Sequence, residues 1–278
     1  MKKKDLVSVV ITTKNEEDAI SNLLESITKQ TYKNIEIILV DNNSEDNTLK
    51  IARRFKKVKV YNWGPERSSQ RNYGAKKSFG EYLLFLDADM KLSPKVVEVC
   101  VKITKSKKNI GSVVIPEQSE AYMFWEKVKA FERSFYNEKG DPITDAARFF
   151  KRSVFEKAGR YDETITGPED WDLPETIREL GYKDGRISEK IYHRERATSL
   201  IALFKKKFYY GLYAHKYLRK HNIPIVSPKT VYFLRPLFYK SWKRLLSQPL
   251  LALGMIAMLI TQTLGGGSGY LIGRIRKL

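Results

Sequence analysis

Cysteine is almost absent from the sequence: Cys100 is the single one, so no disulfide can form within the chain. Cys100 lies in the apolar stretch VVEVCV, a setting that indicates core packing. The N-terminal methionine and its three lysines are not followed by the apolar segment of a secretory signal. Both absences fit a reducing compartment, and we expect the folded part of the chain to face the cytosol.

Acidic residues are scarce relative to basic ones. The 278 residues include 51 Lys and Arg against 32 Asp and Glu, which gives a formal net charge of +19. This balance implies an anionic partner, for which nucleic acid, an anionic membrane surface and phosphorylated small molecules are the candidates. No nucleic-acid-binding motif is present, and much of the excess charge lies near a C-terminal apolar segment, so we expect no nucleic-acid partner.

Hydrophobic periodicity predicts alternating strands and helices in the first third of the chain. Uninterrupted apolar runs predict buried strands, and apolar residues at helical spacing predict the helices between them. The predicted strands are 7–12, 35–40, 58–61 and 82–86, and the predicted helices are 16–29, 46–55 and 68–78. This order is typical of a parallel doubly wound α/β sheet, which binds ligands at the carboxyl ends of its strands.

The pattern after residue 92 mixes helices and short strands. Helices are predicted at 94–105, 122–137, 167–180 and 199–221, and strands at 112–115, 148–150 and 190–193.

Two aspartates, Asp87 and Asp89, follow the fourth predicted strand with one alanine between them. A turn or a helix cap would explain an isolated Asp-X-Asp, but no helix begins here and the preceding strand is fully apolar. Neighbouring carboxylates repel each other unless a cation lies between them, and a divalent metal shared with phosphate oxygens is a common solution. Other polar residues end the first two strands and should share this sheet edge: Thr12, Thr13, Glu16, Asp41 and Asn43.

Four stretches in this order resemble glycosyltransferase family 2. They are SVVITTKNEE, IEIILVDNNSEDNT, SSQRNYGAKKSFGEYLLFLDADM and GPEDWDL, and they span most of residues 7–175. The resemblance implies the GT-A fold, a Rossmann-like and mostly parallel sheet flanked by helices. It also implies an inverting transfer of a sugar from a nucleotide-diphosphate sugar to a hydroxyl, with Mn²⁺ or Mg²⁺ as cofactor.

The same resemblance implies roles for the residues at the sheet edge. Asp41 would contact the nucleobase or ribose, Asp87 the nucleotide, and Asp89 the metal on the diphosphate. The full expected nucleotide-sugar site is Thr12, Thr13, Glu16, Asp41, Asn43, Arg71, Asp87 and Asp89.

A second acidic element, Glu169-Asp170, opens a predicted helix. Acids are favourable at a helix N-terminus in any case, but the family places its general base at such a motif, and Asp170 matches it. A base on the face opposite the leaving group would give a single displacement with inversion. Glu169 and Trp171 are candidates for acceptor contact. His193 is a candidate metal or diphosphate ligand, although a lone histidine is more often structural.

The C-terminal region predicts membrane association. Residues 229–246 carry apolar residues at helical spacing with lysines on the opposite side, typical of a helix at a membrane interface. The apolar segment 249–264 is marginal in length for a span, and the glycine run 265–269 follows it, so a single span and a re-entrant or interface-lying hairpin both stay open. The basic tail 274–277 and the lysine run 205–207 would meet lipid headgroups or acceptor phosphates.

The sequence thus predicts a GT-A catalytic domain at 1–222 and membrane-associated helices at 223–278, with a nucleotide-binding half at 1–92 and an acceptor half at 93–222. The expected location is the cytosolic face of the cell membrane, and the expected acceptor is a polyprenyl-phosphate or polyprenyl-diphosphate glycan. A mannosyltransferase using GDP-mannose and an enzyme using a UDP-sugar both stay open, as does a soluble or polysaccharide acceptor. A nucleotidyltransferase is disfavoured because TTKNEE replaces the glycine-rich loop that such enzymes carry after the first strand.

Overall fold

The computed structural model describes residues 3–137, 140, 141 and 143–276. The chain forms two compact units. Unit 1 comprises residues 1–117, 146–163 and 169–193, and unit 2 comprises residues 118–145, 164–168 and 194–278. The helix that ends at Lys220 packs along the last helix of the chain, within unit 2.

The strands, in chain order, are β1 Lys3–Thr13, β2 Ile35–Asp41, β3 Val58–Asn62, β4 Gly80–Asp87, β5 Met90–Leu92, β6 Ile110–Val114, β7 Glu117–Glu120, β8 Ala147–Lys151, β9 Lys183–Arg186 and β10 Ile191–Arg194. The helices are α1 Ile20–Thr28, α2 Thr48–Ala52, α3 Arg67–Lys77, α4 Val96–Ser106, α5 Phe124–Asn137, α6 Arg152–Lys157, α7 Glu169–Glu179, α8 Leu200–Lys220, α9 Pro236–Lys240, α10 Trp242–Ser247 and α11 Pro249–Arg276.

Unit 1 is built on a seven-stranded sheet of order β3-β2-β1-β4-β8-β6-β9. The first four strands are parallel, as the alternation of strands and helices predicts. Strand β8 enters antiparallel to both β4 and β6, so the sheet is mixed at this point. The sequence predicts β8 but not its direction, and it gives no signal for the short strands β5, β7 and β9 or for α6.

Both faces of the sheet are covered, which explains the uninterrupted apolar runs. Alternate residues of β1 enter different hydrophobic clusters because successive side chains of a strand point to opposite faces. Val9 and Ile11 lie in the cluster that holds α1 and α4, including the buried Cys100. Val10 lies in the cluster on the other face, with Phe85 of β4.

The helices of unit 2 differ from the predicted ones in two places. The single helix predicted at 229–246 is wrong, because a 3₁₀ turn (Tyr232–Leu234), α9 and α10 replace it. Pro236 is the first residue of α9, and Arg235 before it is extended, since a residue that precedes proline is disfavoured in the helical conformation.

The hairpin that the glycine run allowed does not form. Helix α11 is continuous over 28 residues, about 42 Å at 1.5 Å per residue, so the hairpin interpretation is excluded. Glycines 265, 269 and 273 face the backbone of α8 so closely that a Cβ atom would overlap the carbonyl oxygens of Phe204, Phe208 and Leu212. The run therefore serves helix packing and not chain reversal. Of the predicted basic tail, Lys277 lies outside the described residues.

Among the described residues, α11 is the helix that is long and apolar enough to cross a membrane, by length and composition. Its exposed aliphatic residues fall within roughly 120° of its circumference at 100° per residue. They are Leu250, Leu253, Ile256, Ile260, Leu264, Leu271 and Ile275. Its other side is buried against α5 and α8 within unit 2.

We expect Gly269→Ala to destabilise unit 2 by about 1–3 kcal/mol, because the new methyl group would force α8 and α11 apart. Gly267→Ala is the matched control, because a Cβ atom there meets nothing within 4 Å. Alanine has the higher helix propensity, so this control should be neutral or stabilising by up to about 1 kcal/mol. Thermal unfolding of the full chain measures both, and equal midpoints for the two variants would contradict the packing interpretation.

Candidate active site

The carboxyl ends of β1, β2 and β4 lie side by side at one edge of the unit 1 sheet. Register fixes this arrangement: Thr12 pairs with Asp87 of β4, and Thr13 pairs with Asp41 of β2. The Thr12 hydroxyl also lies 3.2 Å from Asp87 Oδ1. The sheet therefore brings together the polar residues that the sequence placed at its strand ends.

Asp41 and Thr13 are buried at this edge. The Asp41 carboxylate accepts hydrogen bonds from the backbone N–H and the hydroxyl of Ser44, which orders the loop after β2. The Thr13 hydroxyl is buried without a hydrogen-bond partner among the described residues. Such a group is costly unless a ligand satisfies it. Asn43 is exposed with a positive φ of 52°, and Glu16 is half-buried at the start of the loop after β1.

A fully buried guanidinium, that of Arg71 on α3, lies between two of the predicted site acids. Its Nη1 atom is 2.6 Å from Asp170 Oδ1, and its Nη2 atom is 3.1 Å from Asp87 Oδ1. The ring of Tyr161 covers the guanidinium at 5.1 Å from its centroid. Arg71 thus joins the strand that carries the Asp-X-Asp motif to the helix that carries the Glu-Asp motif.

Two further arginines that the sequence analysis missed complete this cluster. Arg148 on β8 reaches Asp87 Oδ2 at 3.5 Å and Glu117 Oε1 at 2.7 Å. Arg67, the first residue of α3, lies 2.6 Å from Glu169 Oε1. The sequence does contain a signal for the role of Arg148. An arginine inside the otherwise apolar strand ARFF is buried only when a carboxylate pairs with it.

These cations decide the charge state of the acids. Burial alone would raise the pKa of Asp87 and of Asp170, but the guanidinium groups of Arg71 and Arg148 outweigh it and hold both pKa values below the ordinary range. For Glu169, burial wins over the neighbouring Arg67 and raises the pKa. The pKa values of the two acids of the Glu-Asp motif therefore shift in opposite directions.

Exposure separates these two acids further. The Asp170 side chain is 24% exposed, whereas that of Glu169 is 2% exposed. An external hydroxyl group can reach Asp170 and not Glu169. Trp171 follows on α7 and is half-buried.

Asp89 and His193 form a separate pair beside this cluster. Strand β5, which follows Asp89, pairs with β10 so that His193 lies opposite Met90. His193 Nε2 lies 3.4 Å from Asp89 Oδ2, and each side chain is 16% exposed. A carboxylate and an imidazole nitrogen fit two positions of a manganese or magnesium shell. Within the described parts of the chain, no three His, Cys, Asp or Glu side chains gather into a larger metal-binding group.

The family model for glycosyl transferase family 2 matches residues 8–159, more than half of the chain. The chain belongs to glycosyltransferase family 2. The match covers the sheet edge, Arg71, the Asp-X-Asp turn and Arg148, and it ends before Asp170 and His193.

Curated relatives agree with this family. An uncharacterized glycosyltransferase of Rickettsia typhi is 26% identical over 289 residues, which cover 97% of this chain and 90% of the relative. A UDP-Glc:alpha-D-GlcNAc-diphosphoundecaprenol beta-1,3-glucosyltransferase of Escherichia coli, WfaP, is 38% identical over 89 residues, 31% of this chain and 36% of that protein.

Solved structures confirm the GT-A fold. Staphylococcus aureus TarS residues 1–349, in complex with UDP, superpose with a TM-score of 0.56 at 17% identity, over 96% of this chain and 92% of that one. The mannosyltransferase PcManGT from Pyrobaculum calidifontis, in complex with GDP-Man and Mn²⁺, gives a TM-score of 0.61 at 18% identity, over 99% and 80% of the two chains. The predicted α/β class and the family resemblance are thus confirmed, and the nucleotidyltransferase alternative loses its support.

We expect Arg71→Met to lower the free energy of unfolding by about 3 kcal/mol at pH 7, because it leaves buried carboxylates without their cation. The pKa values of Asp87 and Asp170 then rise, so the deficit is full at neutral pH. It shrinks as the pH falls and the carboxylates of the variant become protonated. Arg178→Met, which removes the half-exposed partner of Asp184, is the control and should cost less than about 1 kcal/mol. Denaturant titrations between pH 7 and pH 4 test this, and a pH-independent deficit would contradict it.

Proposed function

We propose that this family 2 glycosyltransferase moves a sugar from a nucleotide-diphosphate sugar to an acceptor hydroxyl with inversion. The observation that carries the proposal is the bridge of Arg71 between Asp87 and Asp170, because it sets a nucleotide-binding acid and a solvent-accessible acid around one buried cation. The complexes of TarS with UDP and with UDP-GlcNAc, and that of PcManGT with GDP-Man, support a nucleotide-sugar donor. GDP-mannose and a UDP-sugar are both candidate donors.

The donor would bind at the sheet edge. The proposed nucleoside pocket is formed by Thr12, Thr13, Glu16, Asp41 and Asn43. The unpartnered Thr13 hydroxyl and the buried Asp41 carboxylate supply a donor and an acceptor for the base or ribose. Asp87 would hydrogen-bond the nucleotide, in the orientation that Arg71 and Arg148 give its two oxygens.

Asp89 and His193 are the residues that would hold a divalent metal, Mn²⁺ or Mg²⁺, together with the donor diphosphate. When bound, such an ion neutralises the charge that develops on the leaving nucleoside diphosphate.

Asp170 is the proposed general base. The acceptor oxygen forms a bond to the anomeric carbon, the bond from that carbon to the diphosphate oxygen breaks with its electron pair, and the hydroxyl proton passes to Asp170. Attack from the face opposite the leaving group inverts the anomeric centre. Arg71 keeps Asp170 ionised, and the half-buried Trp171 would contact the acceptor. The buried Glu169 would act on the acceptor side indirectly, by holding the start of α7 through its ion pair with Arg67.

We propose a lipid-linked acceptor at the cytosolic face of the membrane. The aliphatic side of α11 and the exposed Tyr239 and Trp242 give unit 2 an apolar surface of the kind that enters an interface. The relative WfaP is a glucosyltransferase that acts on a diphosphoundecaprenol-linked sugar. In this proposal residues 1–92 bind the nucleotide, residues 93–222 hold the acceptor side, and residues 223–278 contact the membrane. A soluble or polysaccharide acceptor is the alternative.

We expect Asp170→Asn to reduce sugar transfer by about 10²–10⁴-fold, because the amide cannot accept the proton. Its metal-dependent nucleotide binding should be retained. Asp89→Ala should weaken that binding, and the exposed Asp18→Asn is the control that should leave both unchanged. Turnover with the candidate nucleotide sugars, alongside nucleotide binding with and without Mn²⁺, separates the two roles. Near-normal turnover of a folded Asp170→Asn protein would sink the assignment of the base.

We expect Leu253→Lys to weaken the binding of phosphatidylglycerol vesicles about tenfold, because it places an ammonium on the exposed side of α11. Leu180→Lys adds the same charge at an exposed leucine of unit 1 and should bind like the natural chain. A substitution is a cleaner test than truncation, since α11 also closes the core of unit 2 through Met258. Vesicle co-sedimentation measures the difference, and equal binding of the two variants would refute the membrane surface.

A further inference from the structure

Unit 2 contains a buried group of charged side chains that the transfer step does not use. On α5, Lys129 Nζ lies 2.6 Å from Glu132 Oε2. Arg235, at the start of α9, lies 3.4 Å from the other oxygen of the same carboxylate. Glu132 and Arg235 are both almost fully buried. One carboxylate therefore serves two cations.

A phenol extends this group to α8. The ammonium of Lys207 donates a hydrogen bond to the Tyr232 hydroxyl at 2.9 Å. The Arg235 guanidinium lies over the same ring at 4.6 Å from its centroid. Lys207, Arg235 and Lys129 are thus linked through one neutral phenol and one carboxylate.

The group carries more positive than negative charge. Arg133 pairs with the buried Glu195 at 3.1 Å beside Lys129. The contacts of Lys129, Lys207 and Arg235 therefore join three cations to one carboxylate, that of Glu132, an excess of two positive charges in this set. Excess positive charge beside the buried Glu132 and Arg235 is unfavourable until a counter-charge enters.

The pKa directions agree with a positive surplus. Burial lowers the pKa of Lys129; Glu132 opposes this, and the nearby Arg133 and Lys207 lower the pKa further. Burial would raise the pKa of Tyr232, but Lys207 and Arg235 outweigh it and lower that pKa. Each shift is the response expected near an excess of cations.

We propose that Lys129, Lys207 and Arg235 form a binding site for a phosphate or diphosphate monoester. The excess of two positive charges balances a phosphate monoester dianion and most of the charge of a diphosphate monoester. The set also combines a planar guanidinium with two ammonium groups, the side chains that bind phosphate oxygens. Resting on the proposed function, this inference assigns the anion to the phosphate end of the acceptor. Leu234, exposed directly before Arg235 in the chain, offers an apolar contact for a lipid beside that end.

The lysine run on α8 divides in the structure. Lys207 faces Tyr232, Lys206 lies over the ring of Tyr210 at 5.9 Å from its centroid, and Lys205 is exposed. The sequence analysis grouped the three lysines as one cluster that would contact phosphates or lipid headgroups. In the structure, Lys207 is the lysine of this run that joins the charged group, through its hydrogen bond to Tyr232. Lys205 therefore supplies a control of the same residue type on the same helix.

The test measures binding of farnesyl diphosphate to the full chain in detergent micelles by calorimetry. EDTA is present, so that metal-dependent binding of a diphosphate at the nucleotide site is suppressed. We expect Lys207→Met to weaken binding about tenfold or more, the scale of one lost charge-assisted hydrogen bond. Lys205→Met should bind like the natural chain, and Lys207→Arg should keep most of the affinity because it retains the charge.

We expect Lys207→Met to fold, because the hydrogen-bond partner of Lys207 is the neutral Tyr232, and the substitution leaves no carboxylate without its cation. Thermal midpoints of all three variants confirm the fold. Equal affinities of Lys207→Met and Lys205→Met would overturn the site, and so would equal binding of farnesol, which lacks the diphosphate. Tighter binding of farnesyl diphosphate than of inorganic pyrophosphate supports a lipid-linked source, and equal binding supports a soluble phosphorylated one.

Hydrolysis of nucleotide sugars without acceptor separates this inference from the proposed function. It should be unchanged in Lys207→Met. If diphosphate binding depends on Lys207 but no nucleotide sugar is hydrolysed or transferred, the phosphate site is supported and the proposed function is refuted. If nucleotide sugars are hydrolysed and transferred but diphosphate binding does not depend on Lys207, the proposed function is supported and the phosphate site is refuted.

Discussion

The ion pairs of Arg71 constrain the whole edge of the unit 1 sheet. A charged guanidinium with no exposure is costly unless carboxylates pair with it, so the burial of Arg71 favours structures in which Asp87 and Asp170 stay within bonding distance of it. The bonds tie α3, β4 and α7 together across 99 residues of sequence. This bridge fixes the positions of its partners more than it stabilises the fold. A buried ion pair adds little free energy of folding compared with apolar packing, but it permits only one arrangement of the paired groups.

The charged clusters described in the two units differ in their balance of cations and carboxylates. Around Arg71, the three cations Arg67, Arg71 and Arg148 face four carboxylates, those of Asp87, Glu117, Glu169 and Asp170. In the cluster of unit 2 the balance is reversed, with the three cations Lys129, Lys207 and Arg235 against the carboxylate of Glu132. Such an excess of cations suits a phosphate group. The division of charge therefore agrees with a donor site and an acceptor site that recognise different chemistry.

The sequence predicted the parallel half of the sheet because burial on both faces leaves an unmistakable apolar run, as in β1. It predicted Asp87 and Asp170 from local motifs, but not that one arginine joins them, since their partnership depends on how distant segments meet. Pro236 indicates the end of one segment and the start of a helix, but the helical spacing of the apolar residues around it led to the prediction of a single helix over 229–246. The glycines at 265–269 suggested a turn that does not form. Glycine favours a turn in isolation, but close packing of the two helices overrides that preference here.

The glycine packing also bears on how α11 would meet a bilayer. Because α8 contacts its glycine side, the exposed aliphatic side chains form one stripe instead of covering the whole helix. From Leu250 to Ile275 the stripe is about 38 Å long at 1.5 Å per residue, longer than a hydrocarbon core of about 30 Å. A helix that is apolar on one side over such a length gains most by lying along the interface. Lys240 and Lys243 before it and Arg274 at its end would then all contact the headgroups of one leaflet, and the proposed phosphate site in unit 2 would belong to a unit held at that leaflet.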